Sequence, residues 1–286
     1  MGVLMRIITL TAIAMLAFAA NSVLARLALV DGAIDAASYT GIRLIAGAVL
    51  LYAILFWGST AHPRGRVGGN WSGAAALFGY AILFSIAYVM LGAGMGALIL
   101  FASVQMSMLG WAMFKGDRPG MIEWAGIGLA LAALVYLVSP GLSAPNPLGA
   151  MLMAIAGASW AAYSLIGRGS HSPLRDTAGN FVRCLPVGIA LTAFGLLTLP
   201  VSLEGVAYAV ASGALASGLG YAVWYLALPA LSRVQASTVQ LTVPAIAALG
   251  GVIFIGESIT LRLAVASIGI LGGVAFALWG SEHRKR

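Results

Sequence analysis

The sequence predicts an all-α polytopic membrane protein of ten transmembrane helices, arranged as two inverted five-helix repeats, and three observations predict it. Of 286 residues, 61% are hydrophobic and only 8% charged, against about a quarter charged in ordinary soluble domains. Apolar runs of roughly 18–25 residues, the length a helix needs to cross a bilayer, recur from end to end. Short motifs of the first half return in the same order in the second. The runs are too long and too evenly apolar for barrel strands, which alternate, and helices satisfy their backbone groups within the segment, as lipid demands.

Span 1 is expected at 6–27. Arg6 and the apolar run after it resemble a signal peptide, but similar segments follow, so a retained helix is expected; it carries Phe18, Asn21 and Ser22. Span 2, at 37–57, holds Arg43 near its start, and span 3, at 71–90, holds Tyr80 and Tyr88. "GAGMG", with Gly92 and Gly94, is a flexible joint into span 4, at 95–114, whose "ASVQMSM" contains Ser103 and Gln105. Span 5 occupies 121–138. Span 6, at 147–168, sets Trp160, Tyr163 and Ser164 at i, i+3, i+4, which is one helical face. Span 7, at 176–198, carries Arg183 and then Pro186, whose missing N–H favours a kink. Span 8, at 205–228, places Tyr221, Trp224 and Tyr225 on one face, just after Gly218 and Gly220, which weaken the helix. Span 9, at 233–254, contains "ASTVQLTVP" with Thr238, Gln240 and a mid-helix Pro244. Span 10, at 261–281, has Gly269 and Gly273 at the spacing of tight helix packing, within the chain or between copies. Loops such as "GSTAHPRGRVGGN" and "SPGLSAPNP" supply the turn residues.

An even number of spans puts both termini on one side. That side collects twelve of the 15 Lys and Arg residues (Arg6, Arg64, Arg66, Lys115, Arg118, Arg168, Arg175, Arg183, Arg233, Arg284, Lys285, Arg286), and the other only Arg26, Arg43 and Arg262. Positive loops stay inside, so both termini are expected in the cytoplasm of a bacterial-type inner membrane. "FAANSVLAR" at 18–26 aligns without gaps to "WAAYSLIGR" at 160–168; Arg43 matches Arg183, and Ser103, Val104, Gln105 and Ser107 match Thr238, Val239, Gln240 and Thr242. The halves are 1–142 and 143–286. Each contains five spans, an odd number, so the second enters from the opposite face and the repeats are inverted. Secondary transporters built this way bind substrate near midplane, at the repeat interface.

Inversion would set Gln105 and Gln240 across one central cavity. Glutamine facing lipid is expensive; lining a wet cavity and joining helices remain two open readings. Trp160, Tyr163, Tyr221 and Trp224 sit near mid-segment, where cavity lining and packing are both open, whereas Trp57, Trp71, Trp124 and Trp279 fall at segment ends and fit interfacial belts. The candidate substrate-binding set is Gln105, Gln240, Trp160, Tyr163, Ser164, Tyr221, Trp224, Tyr88, Asn21, Ser103 and Thr238; the candidate hinges are Gly92, Gly94, Gly218, Gly220 and Pro244. Arg43 and Arg183 are expected to snorkel to the interface, with a contact to a substrate carboxylate as the alternative.

All eight carboxylates (Asp31, Asp35, Asp117, Glu123, Asp176, Glu204, Glu257, Glu282) and the three histidines fall in loops or at helix ends. A proton-coupled carrier usually keeps such a group inside the membrane, so facilitated diffusion of a neutral or zwitterionic small molecule is expected. The same gap leaves no buried nucleophile set or metal cluster for an enzyme, and no cofactor is expected. One cysteine, Cys184, excludes an internal disulfide. The net charge of +7 is loop charge that sets orientation rather than a nucleic-acid footprint. The expected partners are a small-molecule substrate, the lipid bilayer and, as an open question, a second copy of the chain.

With "FAANSVLAR" and "WAAYSLIGR", Arg43 and Arg183, "YLALPALSRVQASTVQLTVP" at 225–244 and "GE" at 256–257, the chain resembles the drug/metabolite transporter superfamily, EamA type, and is similar to the YddG-like exporters of aromatic amino acids within it. The resemblance covers essentially the whole chain. It implies ten helices, inverted repeats, export of small metabolites by alternating access, and a central cavity among helices 1, 3, 4, 6, 8 and 9, with 5 and 10 peripheral. Leu109 stands where the counterpart of Pro244 would fall, so a symmetric hinge is not expected.

Overall fold

The computed structural model describes residues 2–57, 67–116, 119–139, 141, 144–167, 170–198, 201–231 and 239–284, which are helical or irregular and contain no strand. Thr238 lies outside the described residues. The helices are α1 (Gly2–Val30), α2 (Ala36–Trp57), α3 (Trp71–Met90), α4 (Ala93–Phe114), α5 (Met121–Val138), α6 (Pro147–Ile166), α7 (Pro173–Arg183), α8 (Leu185–Thr198), α9 (Leu203–Ala211), α10 (Gly220–Ala227), α11 (Val243–Ile255) and α12 (Leu261–Arg284). Between α9 and α10, Ser212–Leu219 forms a wider i→i+5 helix. Seven helical stretches are long and apolar enough to cross a membrane; α7 and α8, bent by 43°, make an eighth if counted as one, and α5 and α11 provide shorter apolar helices. The chain is a polytopic all-α membrane protein.

Caps begin the helices where polar residues precede apolar runs. Asn70, Asn146 and Ser202 accept from the backbone N–H of Gly73, Gly149 and Gly205, which satisfies N–H groups that no helical carbonyl can reach. Asp35 does the same for Ala37 and Ser38 at the start of α2. Gly256, at φ 75°, ends α11 in the left-handed region that favours glycine. The α7–α8 bend falls at Cys184, two residues before Pro186, whose absent N–H removes a helical bond.

Packing pairs the elements in a definite way. α3 lies along α6, and α1 along the α9–α10 span; α4 touches α6 and α11, while α1 also touches α11; α2 packs on α8. α5 and α12 form a close pair that meets the rest chiefly through α4. Their contact is glycine-lined: a Cβ on Gly273 would lie 2.7 Å from Ala130 N and Gly126 O, and one on Gly269 would lie 2.6 Å from the Ala133 Cβ. The small residues of span 10 are therefore used inside the chain, where backbones approach closely.

Pro244 is not mid-helix. It occupies the first turn of α11, where its missing N–H has no intrahelical partner to lose. Val239 and Gln240 form a helical step before a turn at 241–242. Gly92 caps α4 in an extended conformation. Gly94 lets α4 approach α11, since a Cβ there would meet the Ala248 Cβ at 2.6 Å. Gly218 closes the wide i→i+5 turn, and Gly220 begins α10.

Candidate functional site

A cavity sits midway along α1, α3, α4, α6 and the α9–α10 span. Its walls are Phe18, Asn21 and Ser22 from α1, Tyr80 and Phe84 from α3, Leu100 and Phe101 from α4, Trp160 from α6, and Ala216 and Tyr221 beyond α9. Its volume is ≈ 20 Å³, room for about one water. Trp160 is the hub of the rings: its centroid is 4.9 Å from Tyr80, 5.1 Å from Tyr221 and 5.5 Å from Tyr163. Phe18 meets Tyr221 edge-on at 5.8 Å and Trp224 at 6.0 Å. Tilted and edge-to-face arrangements are those that aromatic quadrupoles favour.

The polar side of the wall is a network. Asn21, 6% exposed, donates from Nδ2 to Tyr80 Oη at 3.1 Å and accepts from Ser212 Oγ at 2.5 Å. Arg43, 2% exposed, donates from Nη2 to Tyr80 Oη at 3.2 Å and from Nε to Ser217 Oγ at 3.3 Å. Its guanidinium lies 4.9 Å from the Phe84 centroid and 5.2 Å from that of Tyr80. Ser212 and Ser217 can serve one site because of the wide turn. Five residues put them about 140° apart on an α-helix, but one turn apart when bonding runs i→i+5. Small residues permit this, since a Cβ on Gly213 would collide with the backbone of Arg43.

Both ends of α3 are bridged. At its carboxyl end Arg26 Nε pairs with Glu257 Oε1 at 3.1 Å and Nη1 donates to the Tyr88 carbonyl, while Glu257 Oε2 accepts from Ala93 N at 2.8 Å. At its amino end the N–H of Gly69 reaches Asp176 Oδ1 at 2.8 Å and that of Asn70 reaches Asn180 Oδ1 at 2.9 Å, while Arg183 Nη1 donates to the Gly68 carbonyl at 2.6 Å.

Of the candidate binding residues, Asn21, Trp160 and Tyr221 line the cavity. Tyr163 and Trp224 stand one ring behind. Gln105 is buried and Gln240 half-buried, but neither is on the wall. Ser103 packs against Gly157 of α6, Ser164 Oγ donates to its own helix at the Trp160 carbonyl, and Tyr88 packs on Phe84 beside the α3–α4 joint. Arg43 does not snorkel; it is enclosed. A cation early in an apolar run looks the same in sequence whether it turns outward to the interface or, as here, inward. Among the described residues no acidic side chain lines the cavity, and no group of three His, Cys, Asp or Glu could hold a metal.

A polytopic helical protein with a ring-lined chamber midway along its helices, and polar bridges at both ends of α3, has the build of a membrane transporter. Residues 147–279 match the model of the EamA-like transporter family. The chain is 50% identical to the uncharacterized protein PA1977 of Pseudomonas aeruginosa across 88% of its own length and 87% of that protein. It is 31% identical to the threonine/homoserine exporter RhtA of Escherichia coli over 52% of the chain and 51% of that protein, and 30% identical to the inner membrane transporter YedA of the same organism over 53% and 50%. A protein of known crystal structure shares the fold, with a TM-score of 0.65 at 21% identity, covering 94% of this chain and 96% of its own. The chain belongs to the EamA-like transporter family of the drug/metabolite transporter superfamily.

Proposed function

We propose that the protein exports small neutral or zwitterionic metabolites, aromatic amino acids foremost, by alternating access between two inverted five-helix repeats, residues 1–142 and 143–286. The bent α7–α8 pair and the shorter α5 and α11 count as spans in this reading, which makes ten, with both termini in the cytoplasm. The observation that carries it is the ring-lined chamber whose walls come from both halves of the sequence, with a polar bridge beyond it in each direction. RhtA's named cargo supports amino acids as the class.

The packing supports the inversion. Exchanging the halves turns the α3–α6 contact into the contact of the α9–α10 span with α1, and the α4–α6 contact into that of α11 with α1; the α2–α8, α4–α11 and α5–α12 pairs map onto themselves. The rings follow the same exchange. Phe18 corresponds to Trp160, and Tyr80 and Tyr221 lie at a similar offset; Phe18 touches Tyr221 as Trp160 touches Tyr80. Two near-equivalent units give two states of similar energy, one open to each face.

With no acidic group on the cavity wall among the described residues, no side chain there is suited to carry a proton alongside the substrate. Transport therefore runs down the substrate gradient. The test is uptake by proteoliposomes of labelled phenylalanine, tryptophan and threonine. Saturable, counterflow-stimulated uptake that an imposed pH gradient does not concentrate is the expected result. Accumulation driven by the pH gradient alone defeats the facilitator reading, and no uptake of any amino acid defeats the cargo.

A further inference from the structure

We propose that Tyr80 on the cavity wall and Arg43 directly behind it form a carboxylate receptor, so that the negatively charged group of the substrate, and not its amine, is the feature the carrier requires. This deepens the export reading and rests on it. The starting point is a buried cation without an anion. The one ion pair among the described residues is Arg26–Glu257 at the far end of α1, and the ionisable groups near Arg43 are Tyr39, Tyr80 and Tyr221. Arg43 Nη1 is fully enclosed and makes no hydrogen bond among the described residues. Burying a guanidinium this way is costly unless an anion completes it. Two ring faces and two hydroxyls compensate only in part.

Tyr80 shows where that anion would sit. Its hydroxyl oxygen already accepts twice, from Asn21 Nδ2 and Arg43 Nη2. A phenol oxygen has two lone pairs and one proton, so its O–H remains as a donor, and Tyr80 lines the cavity. A carboxylate in the chamber receives that O–H, sharpened by the charge of Arg43 directly behind it. Charge-assisted bonds of this kind are about twice as strong as neutral ones. The rest of the wall is rings, Leu100, Ala216 and the neutral polar groups of Asn21 and Ser22, with no acidic partner among its described residues, so a cationic amine finds ring faces and neutral acceptors but no counter-charge. The class of cargo is an aromatic carboxylate, with or without an amino group.

The experiment compares four ligands on the reconstituted wild-type carrier: phenylalanine, 3-phenylpropionate (no amine), phenylalaninamide (no carboxylate) and phenethylamine (no carboxylate). Uptake and ligand-induced thermal stabilisation are both read. The expected result is that the two acids are bound and carried, with the amide and amine weaker by about 30-fold, the scale on which a buried charge partner matters. Arg43→Gln and Tyr80→Phe should each remove the preference for acid over amide, and Arg43→Lys should restore part of it. A merely structural role would lower all four ligands together and leave their ratio unchanged. If the amide is carried as well as the acid, or if Arg43→Gln keeps the preference, the receptor is wrong while export stands. If wild-type protein neither binds nor moves any of the four, aromatic cargo falls and the receptor with it. Should Arg43→Gln fail to fold, the wild-type ratio and Arg43→Lys decide alone.

Discussion

Trp160 is the residue on which the chamber turns. It contacts rings from α3, from its own helix and from α10, so Trp160→Ala opens the wall on three sides at once. Uptake should fall by at least about ten-fold, a loss near 1.4 kcal/mol of binding, with the monodisperse peak on size exclusion unchanged. Gln105→Leu, off the wall, should leave uptake within about two-fold. The sequence made the ring face of α6 legible, because i, i+3, i+4 spacing in a helix fixes direction. It also made the two glutamines conspicuous, for the sound reason that amides are expensive in lipid, yet cost alone does not say which buried surface receives them. Arg43 was obscured by the converse problem: its burial depends on Ser217, 174 positions away in the chain, a partner no local pattern exposes.

At the scale of elements, the seven long apolar helices were legible from hydropathy, and the α7–α8 bend from Pro186. The wide turn at Ser212–Leu219 was not. Its small residues, in "SGALASGL", read as ordinary transmembrane packing, and only the proximity of α2 and Asn21 makes i→i+5 bonding advantageous. The α5–α12 pair has little room to adjust, since the atoms that approach Gly273 are backbone. Gly273→Val should lower stability by about 1–3 kcal/mol, the range for overpacking, read as a fall in Tm in detergent while the substrate preference of the remaining folded protein is unchanged. The bridge at Glu257 differs in kind, because it joins α1, α4 and the loop after α11 through groups that stay partly exposed. Glu257→Ala removes both an ion pair and the acceptor at the amino end of α4, so its effect should fall more on conformation than on stability.

For the molecule as a whole, the two bridges oppose one another across α3. Loosening one should bias the carrier open at that end. In a Cys184→Ser background, a cysteine placed at Ala216 on the cavity wall should be labelled faster by an impermeant thiol reagent from the Arg26 end in Glu257→Ala, and from the other end in Asp176→Ala. Equal labelling from both ends in both variants would argue against alternating access about this chamber. Parity and paired motifs in the sequence are what carry the proposed inversion. The bridges were not legible there, because their partners are backbone groups, the loop carboxylate of Glu257 and side chains of α7 brought together only by the fold. A middle that admits one water also has an electrical consequence. Protons and small cations cross a bilayer along unbroken files of water or chains of titratable groups, and a cavity of ≈ 20 Å³ walled by six rings, with no acidic side chain among its described lining residues, has little room for either. At the level of this chamber, then, the wall interrupts any water file that would otherwise discharge an ion gradient.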